Sequence, residues 1–354
     1  MISKLKTFFF TRRKIIVSSV AVLAGLLLVF AIFIRQRVDK TVVRIPNVQQ
    51  PTKTEPEKPK TKPSPLTGVE VTAEQAARPV VGMMVENSPE ARPQSGIKGA
   101  GVVFEAIAEG GITRFLLLYQ ENLPSLIGPV RSLRPYYLHW ALGFDAGIGH
   151  VGGSPEALKQ IKSLGGRDLD QFANGNSYYR SSDRYAPHNV YTTPDRVDAL
   201  MKAKGYTSSS FTPFARKADA PAATPTASTI SVSISSALFN PTFTYNVATN
   251  SYLRAQAGAV HIDRESKAQI EPKVVIVMKT TYGLADSQGH LDIKTVGSGD
   301  ALIFQDGVET NATWSKADQK AALTFKDVNG ADVKLNTGQT WIIALPSDKT
   351  VTYQ

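Results

Sequence analysis

Cysteine is missing from the 354-residue chain. Its absence excludes structural disulfides, thiolate catalysis, cysteine-ligated zinc and a lipid-bearing cysteine anywhere in these residues. It leaves the redox compartment open, because many exported proteins lack disulfides. No internal repeat is present. Acidic residues are in deficit, with 30 Asp and Glu against 40 Lys and Arg, a net charge of +10. Such a balance suggests nucleic acid until it is located. Residues 1–44 carry nine basic side chains against Asp39, and residues 45–77 set four lysines against four glutamates. The remainder is close to neutral, so nucleic-acid binding is not expected.

What is present begins with a hydrophobic run. Ile15–Ile34 reads IIVSSVAVLAGLLLVFAIFI, uncharged and flanked by Arg-Arg-Lys and Arg-Gln-Arg. At about 1.5 Å per residue it matches a hydrocarbon core of roughly 30 Å. It ends in Ile-Phe-Ile-Arg, a poor cleavage site, which favours an uncleaved signal anchor over a secretory leader. Five basic residues precede it, directing the N-terminus to the cytoplasm. The expected organisation is a basic tail over 1–14, the anchor over 15–34 and a Pro/Lys/Thr-rich stalk over 35–77. An α/β domain carrying the site then spans 78–215, a linker 216–229 and a mainly β domain 230–354. The fold class is therefore α+β: an N-terminal transmembrane helix, a mixed α/β ectodomain, then a mainly β domain.

In the first folded region, PVVGMMV, VVFEAIA and RFLLLY have strand length and apolar content. Gly110-Gly111 predicts a hairpin that brings Glu109 close to Arg114. A helix is expected through Leu142, capped by Ser132. A short strand then leads into His150-Val151-Gly152-Gly153-Ser154-Pro155, with Ser154 as N-cap of a helix and Pro155 at its first position. A strand feeding a glycine-rich turn and a helix start offers free N–H groups to an anion. The turn is not a Walker loop, since no lysine follows, nor a dinucleotide fingerprint, nor a Gly-x-Ser-x-Gly elbow.

The candidate ligand-binding residues are Arg114, Arg131 and Arg134, whose planar donors suit carboxylate or phosphate, with Gly152, Gly153, Ser154, Arg184 and Asn189. The structural alternative is that the arginines pair with Glu105, Glu109 or Asp145. His150 and His188, with Glu109, are the acid–base candidates; neither histidine has close metal-ligand spacing. No cofactor or metal is expected. Trp314, Phe325 and Trp341 fall at strand spacing in the second region and are read as core.

Several runs together resemble the YerB-like family of bacterial cell-surface proteins, a two-part domain of unknown function. They include Arg78-Pro79-Val80, Ala91-Arg92-Pro93-Gln94-Ser95-Gly96, Glu109–Arg114, Gly128–Ser132, His150–Pro155 and Pro187–Tyr191. In the second region they include Tyr252-Leu253-Arg254, His261-Ile262-Asp263, Gly297-Ser298-Gly299 and Leu335–Trp341. The resemblance covers nearly everything after residue 78. It implies an exported protein in two parts and brings no established reaction. Family members are lipid-anchored through a cysteine; here the span over 15–34 is expected to take the lipid's place. The resulting expectation is a single-pass envelope protein whose ectodomain lies outside the cytoplasm. It would bind an anionic group of a cell-wall component or envelope partner. The alternative is a hydrolase or transferase acting on envelope polymers through His150, His188 and Glu109.

Overall fold

The computed structural model describes residues 25–35 and 60–354. The chain divides into two compact units, Met1–Lys58 and Pro59–Gln354. In the first unit only a helix over 25–35 is described. At about 1.5 Å per residue it is on the order of 16 Å long, half a hydrocarbon core. Among the described residues no helix is long and apolar enough to cross a membrane. The expected transmembrane helix is corrected accordingly. Residues 1–24 of the expected tail and anchor, and 36–59 of the expected stalk, lie outside the described residues. The rest of the expected stalk is folded: Thr61–Pro63 pairs with Glu70–Thr72. Thr72 and Gln75 then form a capping box at the start of a short helix, Ala73–Ala77.

The second unit is built on one ten-stranded sheet. Its strands are β1 (Val81–Glu86), β2 (Val102–Ile107), β3 (Thr113–Tyr119), β4 (Gly147–His150), β5 (Arg167–Asp170), β6 (Val274–Thr280), β7 (Gly297–Gln305), β8 (Val308–Lys316), β9 (Thr324–Asp327) and β10 (Thr340–Pro346). Their spatial order is β9-β8-β7-β6-β10-β2-β3-β1-β4-β5. Strands of both regions share this sheet, because β10 inserts between β6 and β2 and runs parallel to both. Local pattern identifies these strands, but their long-range register is not a local property.

Both faces of the sheet are covered, which explains why β3 is buried at every position. On one face lie α1 (Pro135–Leu142) and α2 (Pro155–Ser163). Phe104 of β2 stacks on Trp140 of α1 at 5.0 Å, with the rings 7° from parallel. The other face carries α3 (Pro194–Ala203) and strands of a second sheet, with Ile230, Phe243 and Tyr252 packing near Val103, Phe115 and Trp341. The second sheet has five strands, including Thr229–Val232, Pro241–Asn246 and Ser251–Gln256.

Helix α2 starts where its local signals place it. Ser154 caps it through the Ala157 N–H, and Pro155 opens it. The expected Ser132 cap of α1 is corrected: the N-cap is Arg134, with no side-chain cap. Pro135 occupies the first helical position, and proline disfavours helical backbone in the residue before it, so the helix starts after Ser132.

Candidate functional site

Strands β1, β2 and β4 run in the same direction, and the region beyond their carboxyl ends is where open α/β sheets hold ligands. The chain places most of its candidate residues there. Glu86 ends β1, Arg114 enters β3, and the Arg131 N–H donates to the Met84 carbonyl at 2.9 Å. The hairpin expected at Gly110-Gly111 forms, with both glycines at positive φ.

Three arginines and two glutamates make the core of the site. Arg114 donates to the Ser132 carbonyl at 2.7 Å and to Glu109 at 3.3 Å. Arg134 donates to the Leu133 carbonyl at 2.7 Å and to Glu109. Both arginines are buried. Burial alone would raise the Glu109 pKa, but Arg114 and Arg134 outweigh it and hold the carboxyl below its ordinary range. Glu109 is thus committed to these two cations.

Arg131 differs. Its Nε lies 3.4 Å from Glu86 Oε1, and its side chain is 27% exposed. Nε is buried without a hydrogen-bond partner. Burial lowers the pKa of the guanidinium, and Glu86 offsets part of that. Glu86 also accepts from Ser88 Oγ at 3.0 Å and from His188 Nδ1 at 3.0 Å. His188 is therefore oriented by a buried carboxylate while its Nε2 makes no hydrogen bond among the described residues. From the sequence Glu86 is considered only as a metal-ligand partner of the two histidines, and Ser88 is not a candidate. No local signal could find the Glu86–His188 pair, since 102 residues separate its members.

Most of the remaining candidates are occupied within the chain. His150 is fully buried; Nδ1 faces the Gly152 carbonyl at 2.8 Å and Nε2 faces Asp168 at 3.2 Å. The His150 hydrogen bond is the largest cause holding the Asp168 pKa down. His150 has no ring nitrogen left for a substrate and makes no hydrogen bond with His188. The Gly152 N–H donates to Asp170 at 2.8 Å, and the Ser154 N–H to the Leu133 carbonyl at 3.2 Å. These amides are spent. Gly153 packs close to Leu133, whose carbonyl would lie 3.0 Å from a Cβ added there. Arg184 donates to the Ala91 and Pro93 carbonyls. Asn189 accepts from Arg180 at 2.7 Å and donates to the Ser181 and Arg184 carbonyls, closing the 181–189 loop.

Beneath the site runs a buried polar scaffold. Gln94 donates to the Glu86 carbonyl and to Asn87, each at 2.9 Å. Asn87 donates to Thr113, and Thr113 to Glu105. Glu105 accepts from Arg254 Nη2 at both of its oxygens, at 3.1 and 3.0 Å, and from the Trp341 indole at 3.0 Å. Burial lowers the Arg254 pKa, while Glu105 opposes the shift. A cavity of about 470 Å³ lies elsewhere, against Pro63, Pro213, Phe214 and Arg216. Among the described residues no group of three or more histidine or acidic side chains could hold a metal ion.

Two family models match successive parts of the chain. Residues 66–207 match the model for the N-terminal domain of a protein of unknown function, DUF3048, and residues 230–342 match that of its C-terminal domain. A protein of Bacillus subtilis (strain 168) described as "Putative lipoprotein YerB" is 32% identical over 294 residues, covering 80% of this chain and 86% of the relative. A crystal structure of the YerB protein from Bacillus subtilis superposes with a TM-score of 0.75 at 28% identity, over 83% of this chain and all of that one.

Proposed function

The chain belongs to the YerB-like family with paired DUF3048 domains, and from that premise we propose that it is a membrane-associated envelope protein working outside the cytoplasm, where it binds an anionic group of a cell-wall polymer or an envelope partner. The description of its Bacillus subtilis relative as a "Putative lipoprotein" supports the address. Arg131 carries the binding reading. Of the three clustered arginines, it alone makes no side-chain hydrogen bond among the described residues, and it is partly exposed. Its planar fork is the group with capacity to spare for a carboxylate or phosphate.

Arg131→Ala is expected to weaken binding of anionic wall fragments about ten-fold or more, the loss of one charge-assisted pair at about 1.5–3 kcal/mol. Arg131→Lys should recover only part of it, since an ammonium lacks the fork. Calorimetric titration checks both, and unchanged affinity in Arg131→Ala overturns the reading.

One observation favours a second reading, an envelope-polymer hydrolase or transferase. His188 is held by Glu86 with Nε2 open, as a general base requires. The carboxylate for that role is Glu86 rather than Glu109, and His150 has no part in it. Product formed by the wild type and abolished in His188→Ala would favour this reading; fragments bound intact by both would favour the first.

A further inference from the structure

The folded unit hides nearly all its aromatic rings. From residue 60 onward the exposed ones are Phe172, Tyr179, Tyr185 and Tyr353. Three of these four fall between residues 172 and 185, the segment that borders the Arg131–His188 face. Tyr185 is 91% exposed and Phe172 74% exposed. Tyr185 sits in the turn that delivers His188, whose N–H donates to the Tyr185 carbonyl at 2.9 Å. Phe172 lies over the glycine turn: a Cβ added at Gly152 would meet its ring at 3.0 Å. Gly152 in turn accepts from the Leu133 N–H at 2.9 Å, and the Val151 N–H donates to the Arg131 carbonyl at 3.1 Å. Phe172 thus lies against the turn that is bonded to the Arg131 main chain, and Tyr185 belongs to the turn that carries His188.

Exposed aromatic rings beside a proposed anion-binding arginine offer apolar faces to the same ligand. The segment between these two is polar, with Asn174, Asn176, Arg180, Ser181 and Asp183. Protein-binding patches are built instead around a dry, depleted-of-charge core, and a lipid surface needs a continuous apolar face. Separate rings set among hydrogen-bonding groups match a ligand that alternates apolar faces with hydroxyl edges. A pyranose is such a ligand: its C–H face packs on the negative face of an aromatic ring, and its hydroxyls meet the polar side chains between. Tyr and Phe lose only two χ angles on binding, so the ordering cost is small.

We propose that the anionic ligand is an acidic saccharide, with sugar rings stacked on Tyr185 and Phe172 and its carboxylate or phosphate held at Arg131. The proposal rests on the Arg131 reading and narrows it to a carbohydrate.

The test titrates the full chain with N-acetylmuramic acid and its β-1,4-linked oligomers with N-acetylglucosamine, and with acetate and inorganic phosphate as the bare anions. Wild type is expected to prefer the acidic sugar over acetate. Combining Phe172→Ala with Tyr185→Ala should cut that preference about ten-fold, while Phe172→Trp with Tyr185→Phe should keep it. Both rings are solvated, so these variants should fold. A preference unchanged in the double alanine variant overturns the carbohydrate assignment while leaving the anion site standing. Failure of the wild type to bind any of these anions overturns both. Preference for phosphate over acetate in the bare-anion arm would identify the charged group as phosphate.

Discussion

Glu109 holds together two cations that would otherwise repel. Arg114 and Arg134 are buried, and each uses one arm on a carbonyl and another on Glu109. Removing one partner of a buried pair costs more than the pair contributes, because the other charge is left uncompensated. Glu109 is partly exposed, which moderates the effect, so Glu109→Gln should cost about 2–3 kcal/mol at neutral pH. The sign of the pH dependence follows from the depressed pKa of Glu109. A carboxyl held below its unfolded value contributes stability above the ordinary carboxylate range, and loses it as pH falls through the folded value. The deficit of Glu109→Gln should therefore be full at pH 7 and shrink on acidification below pH 4.5, the ordinary glutamate value. Urea unfolding of both proteins along a pH series reads this directly; a deficit that stays constant into acid would contradict the assignment. This pairing was legible in the sequence because a two-glycine hairpin brings the partners together. The Glu86–His188 pair was not, because only the assembled fold joins the end of β1 to the 181–189 loop.

At the level of elements, legibility tracks how local the determining contact is. Helix α2 was readable to the residue, since its cap, its proline and its buried Ala157 and Ile161 lie within one short stretch. Helix α1 was misplaced at its start, where proline geometry overrode a serine that looked like a cap. The glycine turn shows a subtler failure. Its N–H groups were read as free donors, the expected state at a helix start. Tertiary structure spends those of Gly152 and Ser154 on Asp170 and on the Leu133 carbonyl, which is why the proposed anion contact rests on Arg131. The cap itself remains measurable. Ser154→Ala should cost about 1 kcal/mol, seen as a lower denaturant midpoint with an unchanged slope. An unaltered midpoint would mean that the 3.4 Å contact to Ala157 contributes nothing.

For the folded unit as a whole, the decisive contacts span more than two hundred residues. Strand β10 fills the gap between β6 and β2. The Trp341 indole reaches Glu105 across 236 positions, and Gln339 reaches the Ile97 and Ala100 carbonyls across about as many. Glu105 is wholly buried, and Arg254, its ion-pair partner, comes from the second region. A fragment ending at residue 229 would therefore lose the strand that pairs with β2. It would also leave one edge of the sheet open and Glu105 without Arg254 or Trp341. An unpaired edge and an uncompensated buried charge are each costly. Residues 60–229 and 230–354 expressed separately should lack dispersed amide spectra. The intact unit should fold cooperatively in one transition, and slowly, because so many of its contacts are non-local. A fragment of residues 60–229 that shows native-like dispersion and a cooperative melt by itself would overturn this account, and would mean that the anion site needs nothing from the second region.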